Sequence, residues 1–147
     1  IDDAISLCRT SSNPASRMIE KGISRIGRPL NDVNATIENV GNLEISKLEK
    51  GLPVLASVAG GAPMIGFLGT VMGMIQAFYD MANAGNNIDV TLLSTGIYQA
   101  MVTTVAGLIV GIIAYFAYNI LVANVEKVVF KMEATTSEFM DLLNEPA

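Results

Sequence analysis

The sequence predicts an all-α integral membrane protein with two long transmembrane helices, a prediction that rests on its composition and on where its charges lie. Of 147 residues, 51% are hydrophobic and 16% are charged, which is unusually apolar for a soluble domain. Residues 51–79 and residues 90–125 contain no Asp, Glu, Lys or Arg. Because about 20 apolar residues of helix cross the hydrocarbon core of a bilayer, each of these intervals is long enough to span it.

The two apolar intervals divide the chain into five predicted segments. We expect a cytoplasmic helical region at 1–50, a transmembrane helix at 51–79, a loop at 80–91, a second transmembrane helix at 92–124 and a cytoplasmic helix at 125–147. Residues typical of turns mark the loop: Asn83, Gly85, Asn86 and Asn87. The flanking helices are expected to pack as a bundle outside the membrane.

The basic residues predict how the protein is oriented. Seven of the nine Lys and Arg residues precede the first apolar interval, and the other two, Lys127 and Lys131, follow the second. The connection between the intervals holds Asp80 and Asp89 and no basic residue. Because Lys and Arg accumulate on the cytoplasmic side of a membrane, both flanks are expected in the cytoplasm. The loop is then periplasmic in a bacterial inner membrane.

Prolines and glycines predict where the helices before the membrane begin and break. Asn13 followed by Pro14 is typical of a helix start, since Asn caps free N–H groups and Pro suits the first helical position. Gly27 and Pro29 predict a break in the apolar stripe around them. A further helix is expected to begin near Ile45 and to run into the first transmembrane interval.

The second transmembrane helix is expected to leave the membrane unbroken. Beyond residue 124, the stripe positions keep alternating spacings of four and three residues, which place them on one face of a helix. They are Val125, Val129, Met132, Thr136, Phe139 and Leu143. This stripe favours packing within a helical bundle over a long autonomous coiled coil.

The residue types that the chain lacks limit its chemistry. It contains no His and one Cys, Cys8, so its own side chains cannot form a Ser-His-Asp triad, a Cys-His pair, a His/Cys metal site or an intrachain disulfide. Its net charge of -5 also lacks the basic footprint of a nucleic-acid-binding domain. We therefore expect no enzyme activity, no metal, no cofactor and no nucleic-acid partner.

Small residues at helical spacing run through both transmembrane intervals. They let helix backbones approach closely, so that packing holds helices together in lipid. The candidates for helix packing are Gly66, Gly69 and Gly73 in the first interval and Ala100, Gly107 and Gly111 in the second. Each transmembrane helix is therefore expected to have protein neighbours.

Four polar residues, Thr70, Gln99, Thr103 and Thr104, form a girdle in these otherwise apolar intervals. Each Thr taken singly could satisfy its hydroxyl at the carbonyl four residues before it, which is a purely structural role. In an assembly the four together could line a weakly hydrated interior. Proton relays in membranes ordinarily use carboxylates or His, so if protons move here, a partner has to bring the titratable group.

The residues of the two intervals resemble a known family. Residues 62–74 read APMIGFLGTVMGM, and residues 96–108 read GIYQAMVTTVAGL. These segments are similar to the second and third transmembrane helices of the MotA/TolQ/ExbB proton-channel family, and within it the ExbB branch is the most similar. The resemblance covers residues 44–124. It implies a subunit of three transmembrane helices, with the first helix upstream of Ile1.

The resemblance also implies partners, a location and a role. An ExbB-type subunit forms a homo-oligomer, a pentameric ring, around helices of an ExbD-type single-span protein in the Gram-negative inner membrane. The complex uses the proton-motive force to energise TonB for outer-membrane import. Carried over by position, Thr70 and Thr104 match the threonines that face the pore and the partner's membrane aspartate. Alternatives are a TolQ-type subunit for outer-membrane integrity, a MotA-like stator and, in a different class, a structural membrane scaffold.

Three positions depart from the pattern of many ExbB and TolQ relatives. Gln99 stands where many carry Glu, Ile113 where many carry Pro, and Thr103 where Ala is common. Because Gln99 cannot titrate, it cannot transfer protons, but it can still recognise a partner through polar contacts. We predict that the extra hydroxyl of Thr103 compensates for the missing carboxylate.

Overall fold

The computed structural model describes residues 2–11, 13–84 and 90–144. Within these ranges the chain forms five α-helices and no strand, which confirms the all-α architecture. The helices are α1 (Asp2–Thr10), α2 (Pro14–Ile23), α3 (Leu30–Leu48), α4 (Leu52–Asn83) and α5 (Val90–Asn144). The chain divides into two compact units, one made of residues 1–50 and 122–147 and the other of residues 51–121.

In the first unit, residues at the helix ends determine where α2 begins and where the chain breaks before α3. The Asn13 side chain accepts a hydrogen bond from the Ser16 N–H at 2.7 Å, and Pro14 is the first residue of α2. After α2, Gly27 has a φ of +98°, in the left-handed region, and Pro29 precedes α3. The chain therefore breaks between α2 and α3 where Gly27 and Pro29 predict it.

The core of this unit consists of large apolar side chains from three helices. Met18, Val33, Ile37 and Met132 are buried. They come from α2, α3 and the last part of α5, so the four-three stripe of α5 faces this core. A Cβ atom on Gly22 would lie 2.7 Å from the Ile37 Cδ1 atom, so α2 packs closely on α3. Each buried side chain of this size contributes about 1.5–3 kcal/mol to stability.

A buried carboxylate also joins α2 to α3. Glu44 is 4% exposed, and its carboxylate accepts hydrogen bonds from the Arg17 guanidinium and, at 2.7 Å, from the Lys47 Nζ atom. The Arg17 hydrogen bond, followed by that of Lys47, lowers the pKa of Glu44 below its usual value. The pair stabilises the ionised form because hydrogen bonds to a carboxylate favour its charge.

The junction between α3 and α4 corrects one expectation from the sequence. No helix runs from near Ile45 into the membrane interval, because α3 ends at Leu48 and α4 begins at Leu52. Gly51 has a φ of +95°, a conformation that glycine adopts without the strain of a Cβ atom. Pro53, the second residue of α4, has no N–H group to leave unpaired in the first turn.

The connection between α4 and α5 is shorter than the predicted loop at 80–91. α4 continues to Asn83, and α5 begins at Val90. The turn predicted at Gly85, Asn86 and Asn87, together with Asp89, lies outside the described residues. Beyond the connection, α5 is one helix to Asn144, as the apolar spacing after residue 124 predicts.

Two described stretches, one ending at Asn83 and the other formed by α5, are long and apolar enough to cross a membrane. In the stretch that ends at Asn83, only 6% of the most apolar 18-residue segment is buried within the chain, and in α5 only 11%. Large side chains such as Ile65, Phe67 and Ile113 are instead 72%, 65% and 65% exposed. Exposed apolar surface of this extent is typical of helices that face lipid or other protein chains.

Candidate functional site

The close packing of α4 against α5 is the feature that positions the candidate site. A Cβ atom on Gly66 would lie 2.8 Å from the Thr103 carbonyl oxygen and 3.1 Å from the Gly107 Cα atom. A Cβ atom on Gly107 would lie 2.6 Å from the Ala62 carbonyl oxygen. Real Cβ atoms do not come this close to backbone atoms, so both positions require glycine at the present separation of the helices.

The other small residues extend this contact along both helices. A Cβ atom on Gly73 would lie 2.7 Å from the Ala100 Cβ atom, and Ala100 itself is 2% exposed. A Cβ atom on Gly69 would lie 2.5 Å from the Thr103 Oγ1 atom, and one on Gly111 would lie 2.5 Å from the Pro63 ring. The six small residues selected from the sequence all lie where α4 meets α5.

One further pair at this contact was missed by the sequence reasoning. A Cβ atom on Gly96 would lie 2.7 Å from the Ala77 Cβ atom. The spacing contained the signal, because Ala77 follows Gly73 by four residues and Gly96 precedes Ala100 by four. The small-residue contact therefore reaches one turn further towards the connection than the six positions indicate.

Three threonine hydroxyls converge on one carbonyl oxygen in the middle of this contact. The Gly66 carbonyl oxygen lies 3.3 Å from the Thr70 Oγ1 atom, 3.3 Å from the Thr103 Oγ1 atom and 3.2 Å from the Thr104 Oγ1 atom. The Thr70 and Thr104 hydroxyls also bond to each other across the two helices. We call Thr70, Thr103 and Thr104 with the Gly66 carbonyl the hydroxyl cluster.

The hydroxyl cluster has more acceptors than protons. The Ala100 carbonyl oxygen lies 3.2 Å from the Thr70 Oγ1 atom and 2.6 Å from the Thr103 Oγ1 atom. Each hydroxyl has one proton to donate and two lone pairs that accept. The three protons can therefore be arranged in several ways over the same heavy atoms, which lets the cluster accept from or donate to a group placed beside it.

Other threonines of the helices differ from the Thr70 and Thr104 pair. The hydroxyls of Thr95 and Thr135 donate to the carbonyls of Thr91 and Lys131, four residues earlier in the same helix, at 2.8 Å in each case. This local bond satisfies a hydroxyl without any neighbour. Because Thr70 and Thr104 bond across two helices, their hydroxyls also join α4 to α5.

Gln99, the fourth residue of the predicted girdle, does not belong to the hydroxyl cluster. It is exposed and lines a cleft of about 280 Å³ between α4 and α5, together with Thr103. Three more polar side chains line the same cleft: Gln76, Asp80 and Thr95. Thr103 thus belongs to both the cleft wall and the hydroxyl cluster, whereas Thr70 and Thr104 are half-buried between the helices.

The charge distribution limits what the hydroxyl cluster can do alone. Residues 51–79 and 90–125 contain no Asp, Glu, Lys or Arg, and the chain contains no His. Asp80, which lines the cleft, is the carboxylate nearest to Thr70 in the sequence. In the described part of the chain, no group of three or more acidic, Cys or His residues could hold a metal ion. The cluster can therefore orient and stabilise a titratable group but does not contain one.

Comparison with known proteins identifies the family of the chain and several relatives. Residues 10–134 match the model of the MotA/TolQ/ExbB proton channel family. The chain is 32% identical over 121 residues to a biopolymer transport protein described as an ExbB homolog of Methanothermobacter thermautotrophicus, covering 82% of the chain and 42% of that protein. It is 36% identical over 92 residues to the biopolymer transport protein ExbB of Aquifex aeolicus, covering 63% and 62%.

A third relative has a different name. The Tol-Pal system protein TolQ of Haemophilus influenzae is 35% identical over 106 residues, covering 72% of the chain and 46% of that protein. The chain spans about half the length of the curated relatives it matches. The family model covers most of the chain and includes both helices that hold the hydroxyl cluster, and so the chain belongs to the MotA/TolQ/ExbB proton channel family.

Proposed function

We propose that the chain is an ExbB-type subunit that converts the proton-motive force into work on TonB for outer-membrane import. In this proposal a homopentameric ring surrounds the transmembrane helices of an ExbD-type single-span partner, which brings an aspartate into the membrane. Thr70 and Thr104 line the proton pathway, Thr103 supports it, and Gln99 recognises the partner. The proposal draws on family membership and on the names of the ExbB relatives.

The observation that carries the proposal is the Thr70 and Thr104 hydroxyl pair, which joins two helices in an interval free of charge. An ionised aspartate in a dry pore is strongly disfavoured unless hydrogen bonds or water compensate for its lost hydration. A hydroxyl can donate to the charged carboxylate and accept from the neutral acid. The pair therefore suits a partner aspartate that alternates between the two states.

The energy for the work comes from the membrane potential. A proton that crosses a potential of about 100 mV releases about 2.3 kcal/mol. Coupling requires that neutralising the aspartate permit a movement of the partner within the ring that its charged form prevents. The small-residue contact between α4 and α5 supplies a stiff wall for that movement, since its glycines leave no free space for the helices to shift towards each other.

We propose that the protein is a multi-pass protein of the bacterial inner membrane with the connection between α4 and α5 in the periplasm. Seven of its nine basic residues precede the first apolar interval, and two follow the second. Accumulation of Lys and Arg on the cytoplasmic side supports this orientation.

Replacing Thr70 or Thr104 by Val tests the proposal in cells that depend on this complex. We expect both variants to assemble with the partner but to lose uptake of chelated iron, because Val keeps the branched shape and removes the hydroxyl. Thr135→Val is the matched control, since its hydroxyl bonds only to its own helix, and it should import normally. Normal uptake by both pore variants would instead indicate a structural scaffold.

A TolQ-type role in outer-membrane integrity is the second candidate. The similarity to the Tol-Pal system protein TolQ of Haemophilus influenzae favours it, and the same hydroxyl cluster would serve either output. The partner that copurifies with the full-length protein distinguishes the two. Recovery of a Tol-Pal component in place of TonB would support the TolQ-type role.

A further inference from the structure

The cleft between α4 and α5 contains three polar side chains that the proposed function does not use: Gln76, Asp80 and Thr95. Asp80 and Gln76 lie on its α4 wall, and Thr95 and Gln99 lie on its α5 wall. Its volume of about 280 Å³ leaves room for several water molecules, each of which occupies about 30 Å³ in the liquid. A cleft of this size, with five polar side chains among its lining residues, is suited to hold water.

The cleft connects Asp80 to the hydroxyl cluster. At its outer end, the Gln76 Nε2 atom donates a hydrogen bond of 2.8 Å to the Asp80 carboxylate. At its inner end lies Thr103, whose Oγ1 atom is 3.3 Å from the Gly66 carbonyl oxygen. The same carbonyl oxygen contacts Thr104 at 3.2 Å. Polar groups therefore continue from a carboxylate at the end of α4 to the centre of the α4 and α5 contact.

We propose that this cleft is the outer access route for protons to the hydroxyl cluster and that Asp80 collects protons at its mouth. This inference rests on the proposed function and on its orientation, which puts the end of α4 on the periplasmic side. A hydronium ion transfers a proton to an Asp80 carboxylate oxygen and becomes water. The resulting carboxylic acid then gives that proton to a water molecule in the cleft, which becomes a hydronium ion, and returns to the carboxylate.

The charges around the cleft suit this role for Asp80. It is the one charged residue that lines the cleft in the described ranges, and α5 faces it with uncharged residues: Leu92, Thr95 and Gly96. Asp89, in the connection, lies outside the described residues. A carboxylate at the mouth of a narrow cleft raises the local concentration of protons. Gln99 cannot titrate, so the α5 wall has no acidic group, and the Asp80 carboxylate of α4 supplies one.

The test measures proton flux in vesicles that contain the full-length protein and its partner, with a pH-sensitive dye inside and the pH varied on the periplasmic side. Asp80→Asn should lower the flux several-fold at neutral outer pH and much less in acid, where hydronium is abundant without a collecting group. Asp80→Glu should restore it. Thr95→Leu narrows the cleft from the opposite wall without changing its charge, and it should lower the flux at every outer pH.

Each other outcome overturns the inference. Unchanged flux in Asp80→Asn, with flux blocked in Thr70→Val, would exclude the collecting role and leave the proposed function intact. A loss in Asp80→Asn that is equal at every pH and not restored by Asp80→Glu would make Asp80 a structural residue. Unchanged flux in Thr95→Leu would exclude the cleft as the route. Normal flux in Thr70→Val would overturn the proposed function as well.

Discussion

The two compact units of the chain are both helical, but their helices are held together by opposite kinds of side chain. In the unit of residues 1–50 and 122–147, large apolar residues such as Ile37 and Met132 are buried, and a buried carboxylate bridges two helices. In the unit of residues 51–121, the buried residues at the contact are small, among them Gly66, Ala77 and Ala100, while many large apolar side chains are exposed.

This difference reflects the solvent that each unit is built for. In water, burial of large apolar side chains drives helices together. In lipid, outward-facing apolar side chains are already in a favourable medium, so that close backbone packing and hydrogen bonds hold the helices together. The hydroxyl cluster lies in the second kind of contact, where polar groups have few other partners. We therefore expect substitutions that remove side-chain volume to destabilise the first unit most, and substitutions that add side-chain volume to destabilise the second unit most.

The largest effect on stability is expected for loss of volume in the first unit. Ile37 is fully buried, and Ile37→Ala should lower the free energy of unfolding by about 2–5 kcal/mol because it removes apolar contacts and leaves a cavity. Leu43→Ala in the same helix is the control, since Leu43 is 63% exposed. Denaturation of the purified protein in detergent measures both. A small effect for Ile37 would contradict the core described for this unit.

Gain of volume in the second unit is expected to have the next largest effect. Gly66→Ala places a methyl group 2.8 Å from the Thr103 carbonyl oxygen, and such overpacking costs about 1–3 kcal/mol. Gly60→Ala in the same helix is the matched control, because no atom lies within 4 Å of a Cβ atom there. Thermal denaturation in detergent should separate the two variants clearly. Equal midpoints would show that α4 and α5 do not pack as described.

A smaller and pH-dependent effect is expected for the buried carboxylate. Glu44→Gln removes the charge that Arg17 and Lys47 bind, and it should lower stability by about 1–2 kcal/mol. Because the folded protein lowers the pKa of Glu44, its contribution is present at pH values above the unfolded pKa of about 4.3. It is lost as the pH falls through the lowered folded pKa.

Denaturation of wild type and Glu44→Gln over a range of pH checks this sign. The difference in unfolding free energy should be constant near neutral pH and should shrink in acid. Glu38→Gln is a control for loss of a carboxylate, because the Glu38 side chain accepts a hydrogen bond from neutral Asn34 on the exposed face of α3. A difference for Glu44 that grows in acid would contradict the assignment.

The smallest effect on stability is expected at Thr70. Thr70→Ser keeps the hydroxyl that bonds to Thr104 and removes one methyl group, so it should change the unfolding free energy by about 1 kcal/mol or less. In the proposed function it should also keep proton flux, whereas Thr70→Val should lose it. Flux in vesicles with the partner present compares the two. Loss of flux in the serine variant, with normal assembly, would show that the hydroxyl alone is not sufficient.

Sequence reasoning predicted the features that depend on local spacing. The small residues and the threonines recur at helical intervals, and α4 and α5 pack along that face. It missed the break before α4, because the left-handed turn at Gly51 interrupts a stretch that otherwise reads as helix. It also missed the burial of Glu44, which lies seven residues after Ile37 on the buried face of α3 and requires Arg17 from another helix.

Gln99 illustrates a further limit of spacing arguments. It lies one turn before Thr103 along α5, and both residues line the cleft, but of the two only Thr103 belongs to the hydroxyl cluster. Which polar residues of a helix bond to one another depends on how that helix is rotated against its neighbour. A single sequence gives this rotation only where small residues mark the contact.

Native mass spectrometry of the full-length protein, extracted from its own membrane with whatever copurifies, tests the central claim most directly. We predict a ring of several identical subunits that holds fewer copies of a single-span protein with an aspartate in its membrane segment. A stable monomer or dimer without such a partner, in several mild detergents, would contradict it. The threonines would then be packing residues that join α4 to α5.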